Sequence, residues 1–250
     1  MKAEPPLNRG LLKEFILRMY DIDVEHLEFV PIGELSYSYI IKTQDKKNYF
    51  LKLYKPSRLT QSVILNLEFS LQVVEQLNER AHITRIPRPI KNSDGRNKSQ
   101  LEDFNVVLWN FIEGKMVTEN QSNSKYFAKQ MGALLARIHR ATDMLELSKQ
   151  VLEQFEIEFK QDLNKCMTLL LSSNKLENIY QEKLRMMITP ISKEIFKSLR
   201  HLENIAAKLK KQDVERVICH TDPIRHNVLI NDSKDIFLID WDSPTLAPFE

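Results

Sequence analysis

The feature that most constrains this chain is a change in apolar period near residue 114. Before that point, Leu27–Ile32, Tyr37–Lys42 and Asn48–Tyr54 are short runs rich in aromatic and β-branched residues that read as strands, and the polar stretch Gln44–Lys47 makes the last two a hairpin. Ahead of them, Leu7, Leu11, Leu12, Phe15, Ile16 and Met19 recur at helical spacing between Leu7 and Tyr20. Between Gln61 and Arg80, Ile64, Leu67, Leu71, Val74 and Leu77 form one helical stripe, which Pro87 and Pro89 keep from continuing. A second hairpin is expected, with its loop at Asn92-Ser93-Asp94-Gly95 and its return strand at Phe104–Ile112. After Glu113-Gly114 the period becomes helical. Phe127, Met131, Leu134, Leu135 and Ile138 mark one helix, and Val151–Leu171 and Leu176–Lys211 extend the pattern, punctuated near Pro190. Two short apolar strands, Val228–Asn231 and Ile236–Asp240, are joined by the turn-forming Asp232-Ser233-Lys234-Asp235. The order implies an α+β fold of two lobes. A small sheet lobe with one inserted helix spans residues 1–113, a larger and mainly helical lobe spans 114–250, and a hinge joins them.

Composition narrows the function classes. With 250 residues, 42% of them hydrophobic, the chain can bury one large core or two modest ones. Its two cysteines, Cys166 and Cys219, lack the C-x-x-C spacing of metal and redox sites, which points to a reducing compartment. The opening MKAEPPLNRG has no apolar signal core, and no apolar run approaches the ~20 residues a membrane helix needs. The expectation is a soluble cytoplasmic protein with no membrane partner. Lysine and arginine (36) nearly balance aspartate and glutamate (34), so no basic surface for nucleic acid is implied.

The motif with chemical content is His220-Thr221-Asp222-Pro223-Ile224-Arg225-His226-Asn227, followed by Ile239-Asp240-Trp241-Asp242. Its form, H-x-D-x-x-x-x-N and then D, has the spacing of a kinase catalytic loop. Phosphoryl transfer needs a carboxylate near the attacking hydroxyl and oxygen ligands for a magnesium ion that bridges the phosphates of ATP. Asp222 is the expected base, and Asn227 with Asp240 the expected metal pair, since Mg²⁺ favours hard oxygen ligands and keeps several waters. The strand pair between them would carry the chain out from Asn227 and return Asp240 to the same end.

A second element is Lys52, whose strand is apolar on both faces: Phe50 and Tyr54 share its side, Leu51 and Leu53 take the other. A lysine there snorkels to water or has an anionic partner. The α- and β-phosphates of ATP and Glu68 of the inserted helix are the candidates. The third element, Ile32-Gly33-Glu34-Leu35-Ser36, holds a single glycine and reads equally as an ordinary hairpin turn or as a weak phosphate loop. Gly33 would give the backbone room, and Ser36 or nearby N–H groups would meet phosphate. His139 and the two tryptophans, Trp109 and Trp241, read as structural.

Together these residues resemble the aminoglycoside phosphotransferase/choline kinase-like superfamily. The likeness is carried by Val217 to Asp222, Asn227 to Ile230, Phe237 to Pro248, Tyr49 to Leu53 and the run Gly132, Leu135, Ile138-His139, and it is nearest to the spectinomycin-phosphorylating branch. The resemblance implies a bilobal protein-kinase-like fold with ATP and Mg²⁺ bound between lobes. It also implies that Asn110 and Ile112 are hinge residues whose backbone meets adenine. The implied reaction is phosphorylation of a hydroxyl on a cationic aminocyclitol or aminoglycoside antibiotic such as spectinomycin; Glu158 and Asp162 are candidate acids for that substrate. Relatives commonly place a histidine two residues after the catalytic aspartate and a glycine just before the asparagine. Here those positions are Ile224 and His226, and Arg225 is the cation expected to take over. Relatives also continue past the position of Glu250 with helices that form much of the substrate wall, so the chain is expected either to be a fragment of a longer protein or to bind substrate differently. A metabolic kinase acting on choline, a sugar or a homoserine-like alcohol, and a non-catalytic nucleotide-binding pseudokinase, are the alternatives.

Overall fold

Asn8 starts the first helix, α1 (Arg9–Tyr20): its side-chain oxygen accepts from the N–H groups of Gly10 and Leu11 at 2.7 and 3.2 Å, satisfying donors that the first turn cannot. In the computed structural model, which describes residues 3–172 and 176–249, α1 leads into β1 (Val24–Val30), β2 (Tyr37–Thr43), β3 (Asn48–Tyr54), α2 (Gln61–Glu79), β4 (Ser99–Leu101) and β5 (Phe104–Asn110). The strands form one antiparallel sheet in the order β1-β2-β3-β5-β4. Because side chains alternate across a strand, β3 serves two cores. Leu51 and Leu53 share one with Leu12, Phe15 and Ile16 of α1, while Phe50 and Tyr54 share the other with Leu67, Leu71 and Val74 of α2.

The chain continues through β6 (Lys115–Met116), α3 (Glu119–Ser122), α4 (Lys125–Arg140), α5 (Lys160–Leu171), α6 (Ile179–Ile188) and α7 (Ser192–Leu209). It ends in β7 (Val217–Cys219), β8 (Val228–Ile230), β9 (Ile236–Leu238) and β10 (Thr245–Ala247). A three-stranded sheet has the order β6-β8-β9, and β7 pairs with β10. Gly114 eases the first of these: a Cβ there would lie 3.0 Å from the Ile230 carbonyl oxygen and 3.2 Å from Leu229 Cβ, so a larger residue would press β8 back by a few tenths of an ångström.

By compactness the chain divides into Met1–Leu152 with Arg216–Glu250, and Glu153–Glu215. In the first unit the α2 core also takes in Met131, Leu134 and Ile138 of α4, Val228, Ile236, Leu238 and Trp241. In the second, α5 to α7 bury Met167, Leu170, Leu176 and Leu199 and leave Phe159, Tyr180, Met186 and Met187 exposed. Among the described residues, no helix is long and apolar enough to cross a membrane.

Two expected elements differ. The turn at Asn92–Gly95 forms, with Asn92 Oδ1 accepting from the N–H groups of Asp94 and Arg96 at 3.0 and 2.9 Å, but it is not the hairpin loop. The hairpin instead joins β4 to β5 through Glu102-Asp103, with Leu101 opposite Phe104 and Glu102 in the left-handed region at φ +52°. That conformation is usually signalled by glycine or asparagine, and here it is not. The helix expected from Val151 begins only at Lys160. The stretch before it is drawn towards β10: the Leu246 N–H donates to the Val151 carbonyl at 2.8 Å, and Leu152 bridges Leu246.

Candidate active site

β7 delivers the chain to a loop that carries His220, Asp222 and Asn227 before β8 begins. His220 is buried and pinned at both nitrogens. Nδ1 accepts from the Asp222 N–H at 3.3 Å, so Nε2 carries the proton and donates to the Ile239 carbonyl at 2.9 Å. The ring is therefore neutral. Burial, which outweighs the bond to Ile239 and the nearby carboxylates of Asp240 and Asp222, lowers its pKa to about 4. Thr221, immediately before Asp222, has φ +73°, a strained conformation for a β-branched residue, and its hydroxyl donates to the Ser243 carbonyl at 3.0 Å. The buried Asn227 closes the loop: Nδ2 donates to the Asp222 carbonyl at 3.0 Å and to Asp222 Oδ2 at 2.8 Å. Asp222 is thus oriented by its neighbours yet exposed to solvent.

The β8–β9 hairpin returns the chain to the same end. Asp240 lies two residues past β9 in the left-handed region at φ +69° and accepts a hydrogen bond from Lys52 Nζ on β3. Lys52 Nζ also donates to Asp242 Oδ1 at 2.7 Å, and the Tyr54 hydroxyl donates to the same oxygen at 2.7 Å. The single hydroxyl proton of Ser70 on α2 is shared between the Asp242 backbone carbonyl at 3.3 Å and the Asn66 carbonyl of its own helix at 3.2 Å. The two carboxylates differ in access: the Asp240 side chain is 43% exposed, that of Asp242 only 12%. Burial opposes the charge on Lys52, but Asp242 and Asp240 together overcome it and hold its pKa above the ordinary lysine value. Burial also pushes Asp242 up, whereas Lys52 outweighs burial at Asp240 and pulls it down. Tyr54, raised by burial and by Asp242, stays a neutral donor.

Asp222 and Asn227 are thus bonded to each other and Lys52 to Asp240, and His220 Nε2 links the loop to Ile239, next to Asp240. Glu68 is not the partner of Lys52: it sits one position off the Leu67/Leu71 stripe, on the exposed side of α2. The requirement for an anion beside Lys52 was readable, and the second aspartate of Ile239-Asp240-Trp241-Asp242 meets it. Gly33 has φ +92° in the loop between β1 and β2. Ser36 is buried, with its hydroxyl 3.4 Å from that of Ser38. Asn110 ties the end of β5 to Arg88, its N–H donating to the Arg88 carbonyl at 3.0 Å and its side-chain oxygen accepting from the Arg88 N–H at 2.5 Å. Ile112 lies in the segment joining β5 to β6, and Arg225 is half-buried in the short turn Arg225–Asn227. In the second unit, Asp162 is 64% exposed and 3.7 Å from Lys165 on its own helix, a solvated pair worth little.

The donor set suits a hard cation. The Asn227 amide nitrogen is spent on Asp222, which leaves its oxygen as a ligand, and Asp240 keeps an accessible carboxylate. Among the described residues, no three His, Cys, Asp or Glu side chains cluster as a softer metal would require.

An antiparallel sheet with one inserted helix, followed by helices and the 220–242 loop and hairpin, defines a protein-kinase-like α+β fold. The chain belongs to the phosphotransferase enzyme family, whose sequence model matches residues 26–249. The fold is shared with spectinomycin phosphotransferase, solved with ADP and spectinomycin, at 22% identity and a TM-score of 0.75 over 97% of this chain and 71% of that one. An amicoumacin kinase gives 17% identity and a TM-score of 0.67 over 97% of this chain and 66% of the other. An aminoglycoside phosphotransferase from Alicyclobacillus acidocaldarius gives 15% and 0.60 over 99% and 69%. No curated protein matches the chain.

Proposed function

We propose that this phosphotransferase moves the terminal phosphoryl group of ATP to a hydroxyl of a small molecule, with Asp222 as general base. The observation that carries the reading is the lock on Asp222: a solvent-exposed carboxylate fixed by Asn227 at 2.8 Å, in a loop that His220 ties to the residue next to Asp240. Asp222 would accept a hydrogen bond from the substrate hydroxyl and take its proton as the new O–P bond forms and the bond to the leaving ADP oxygen breaks. Lys52 would hold the α- and β-phosphates. Asn227 and Asp240 would hold Mg²⁺, which neutralises charge on the phosphate oxygens. Arg225, within this loop, adds a fixed cation. Gly33 would give the backbone room for Ser36 or nearby N–H groups to meet phosphate, and the backbone of Asn110 and Ile112 would meet adenine.

The substrate class we favour is an aminocyclitol or aminoglycoside antibiotic, spectinomycin first, on the strength of family membership and of fold likeness to an enzyme solved with that compound. ATP dependence and the lack of C-x-x-C spacing between Cys166 and Cys219 fit a cytoplasmic setting. The test is ADP release and product mass with Mg·ATP against spectinomycin, streptomycin, choline and homoserine. A phosphorylated antibiotic is the expected result. Turnover of choline or homoserine alone would replace the substrate assignment, and no turnover of any hydroxyl compound would defeat the reading.

A further inference from the structure

We propose that Asp242 is the positioning residue that fixes Lys52 for nucleotide phosphates, in place of an acid from α2; the inference rests on the nucleotide-binding reading above. The two carboxylates that share the Lys52 ammonium are built for different tasks. Asp240 sits on a left-handed turn with a side chain 43% exposed, open to a second partner. Asp242 is buried, its Oδ1 taken by Lys52 and the Tyr54 hydroxyl, both at 2.7 Å, and its backbone carbonyl lies 3.3 Å from the Ser70 hydroxyl of α2, which it shares with the Asn66 carbonyl.

A buried carboxylate is costly unless paired, and the donors around Asp242 meet that requirement without a solvent-facing ligand. Asp242 therefore has no role that needs it to leave Lys52, whereas Asp240 can turn to a cation. The ammonium has three donors, of which the aspartates use two, so one remains for a phosphate oxygen. The link from α2 to the lysine then runs from Ser70 through the Asp242 backbone, which explains why Glu68 can stand exposed on the same helix.

The experiment is calorimetric titration of ADP, with Mg²⁺ and with chelator, into the parent chain, Asp242→Asn, Asp240→Ala, Lys52→Met and Lys52→Met/Asp242→Asn, each checked by its thermal midpoint. If Asp242 acts through Lys52, Asp242→Asn weakens ADP binding about tenfold both with and without metal and adds nothing in the Lys52→Met background. Asp240→Ala, by contrast, weakens binding chiefly when Mg²⁺ is present. Unchanged ADP affinity in Asp242→Asn, or a loss fully additive with Lys52→Met, would overturn the assignment. Should Asp242→Asn fail to fold, the double variant, which has lost both charges, carries the test: it must match Lys52→Met, and weaker binding overturns the proposal. A parent chain that binds no ADP would sink the nucleotide reading along with this inference, whereas a parent that binds beside an unaffected Asp242→Asn sinks this inference alone.

Discussion

The 220–242 segment and the helical unit 153–215 hold their shapes by different means. In the first, the side chains of the candidate site are each bonded to a definite partner: His220 to Ile239 and Asp222, Asn227 to Asp222, Asp240 and Asp242 to Lys52. These locks lie over a core in which Leu238, Ile236 and Val228 are fully buried. In the second, Met167, Leu170, Leu176 and Leu199 are the buried apolar residues among those described, and several large side chains face solvent. The candidate site is thus held by several bonds at once, and the helical unit rests on a thin apolar seam.

The largest expected effect follows from that contrast. Leu238→Ala should destabilise its unit by about 4 kcal/mol and Leu199→Ala its own by about 2, since a site that can relax loses less. Urea unfolding of the two variants, with hydrogen exchange on α7 and β9, measures the difference. Equal losses and equal exchange would erase the distinction between the regions.

Smaller, and confined to the first region, is the loss expected from Asp240→Ala. Removing the accessible carboxylate should reduce the Mg²⁺-dependent part of ADP binding by about 2 kcal/mol while leaving metal-free binding nearly intact. A variant whose affinity still rises with Mg²⁺ as the parent's does would take Asp240 out of the metal site.

The grouping of the first region's candidate residues was legible because most of them lie in a short stretch of sequence. Asp222, Asn227 and Asp240 are fixed by loop and hairpin spacing, and the alternation of β3 placed Lys52 opposite Leu51 and Leu53. What escaped were relations across the fold. Asp242 and Tyr54 meet only because the 236–242 segment comes back against β3. The segment around Val151 gave up its helical pattern to pair with β10, an interaction separated by nearly the whole helical unit. Glu102 adopts positive φ without a glycine to announce it.

A milder effect distinguishes the regions by pH. His220 has its pKa lowered from 6.5 to about 4 in the fold, so the unfolded chain takes up the proton first. The stability contributed by the neutral ring is fully present above about pH 6.5 and is lost as pH falls towards about 4, amounting to about 1 to 2 kcal/mol by about pH 5. Urea midpoints of the parent should fall over this range more steeply than those of His220→Gln. Parallel pH profiles would show that His220 is not buried and neutral.

The central claim is that Asp222 takes the proton from the attacking hydroxyl. Steady-state phosphorylation of spectinomycin by the parent chain and by Asp222→Asn, with ADP affinity measured on the same samples, tests it most directly. The substitution keeps the size of the side chain but removes the base, so turnover should fall about a thousandfold while ADP affinity stays within about twofold. Turnover near the parent's, with ADP still bound, would contradict the claim.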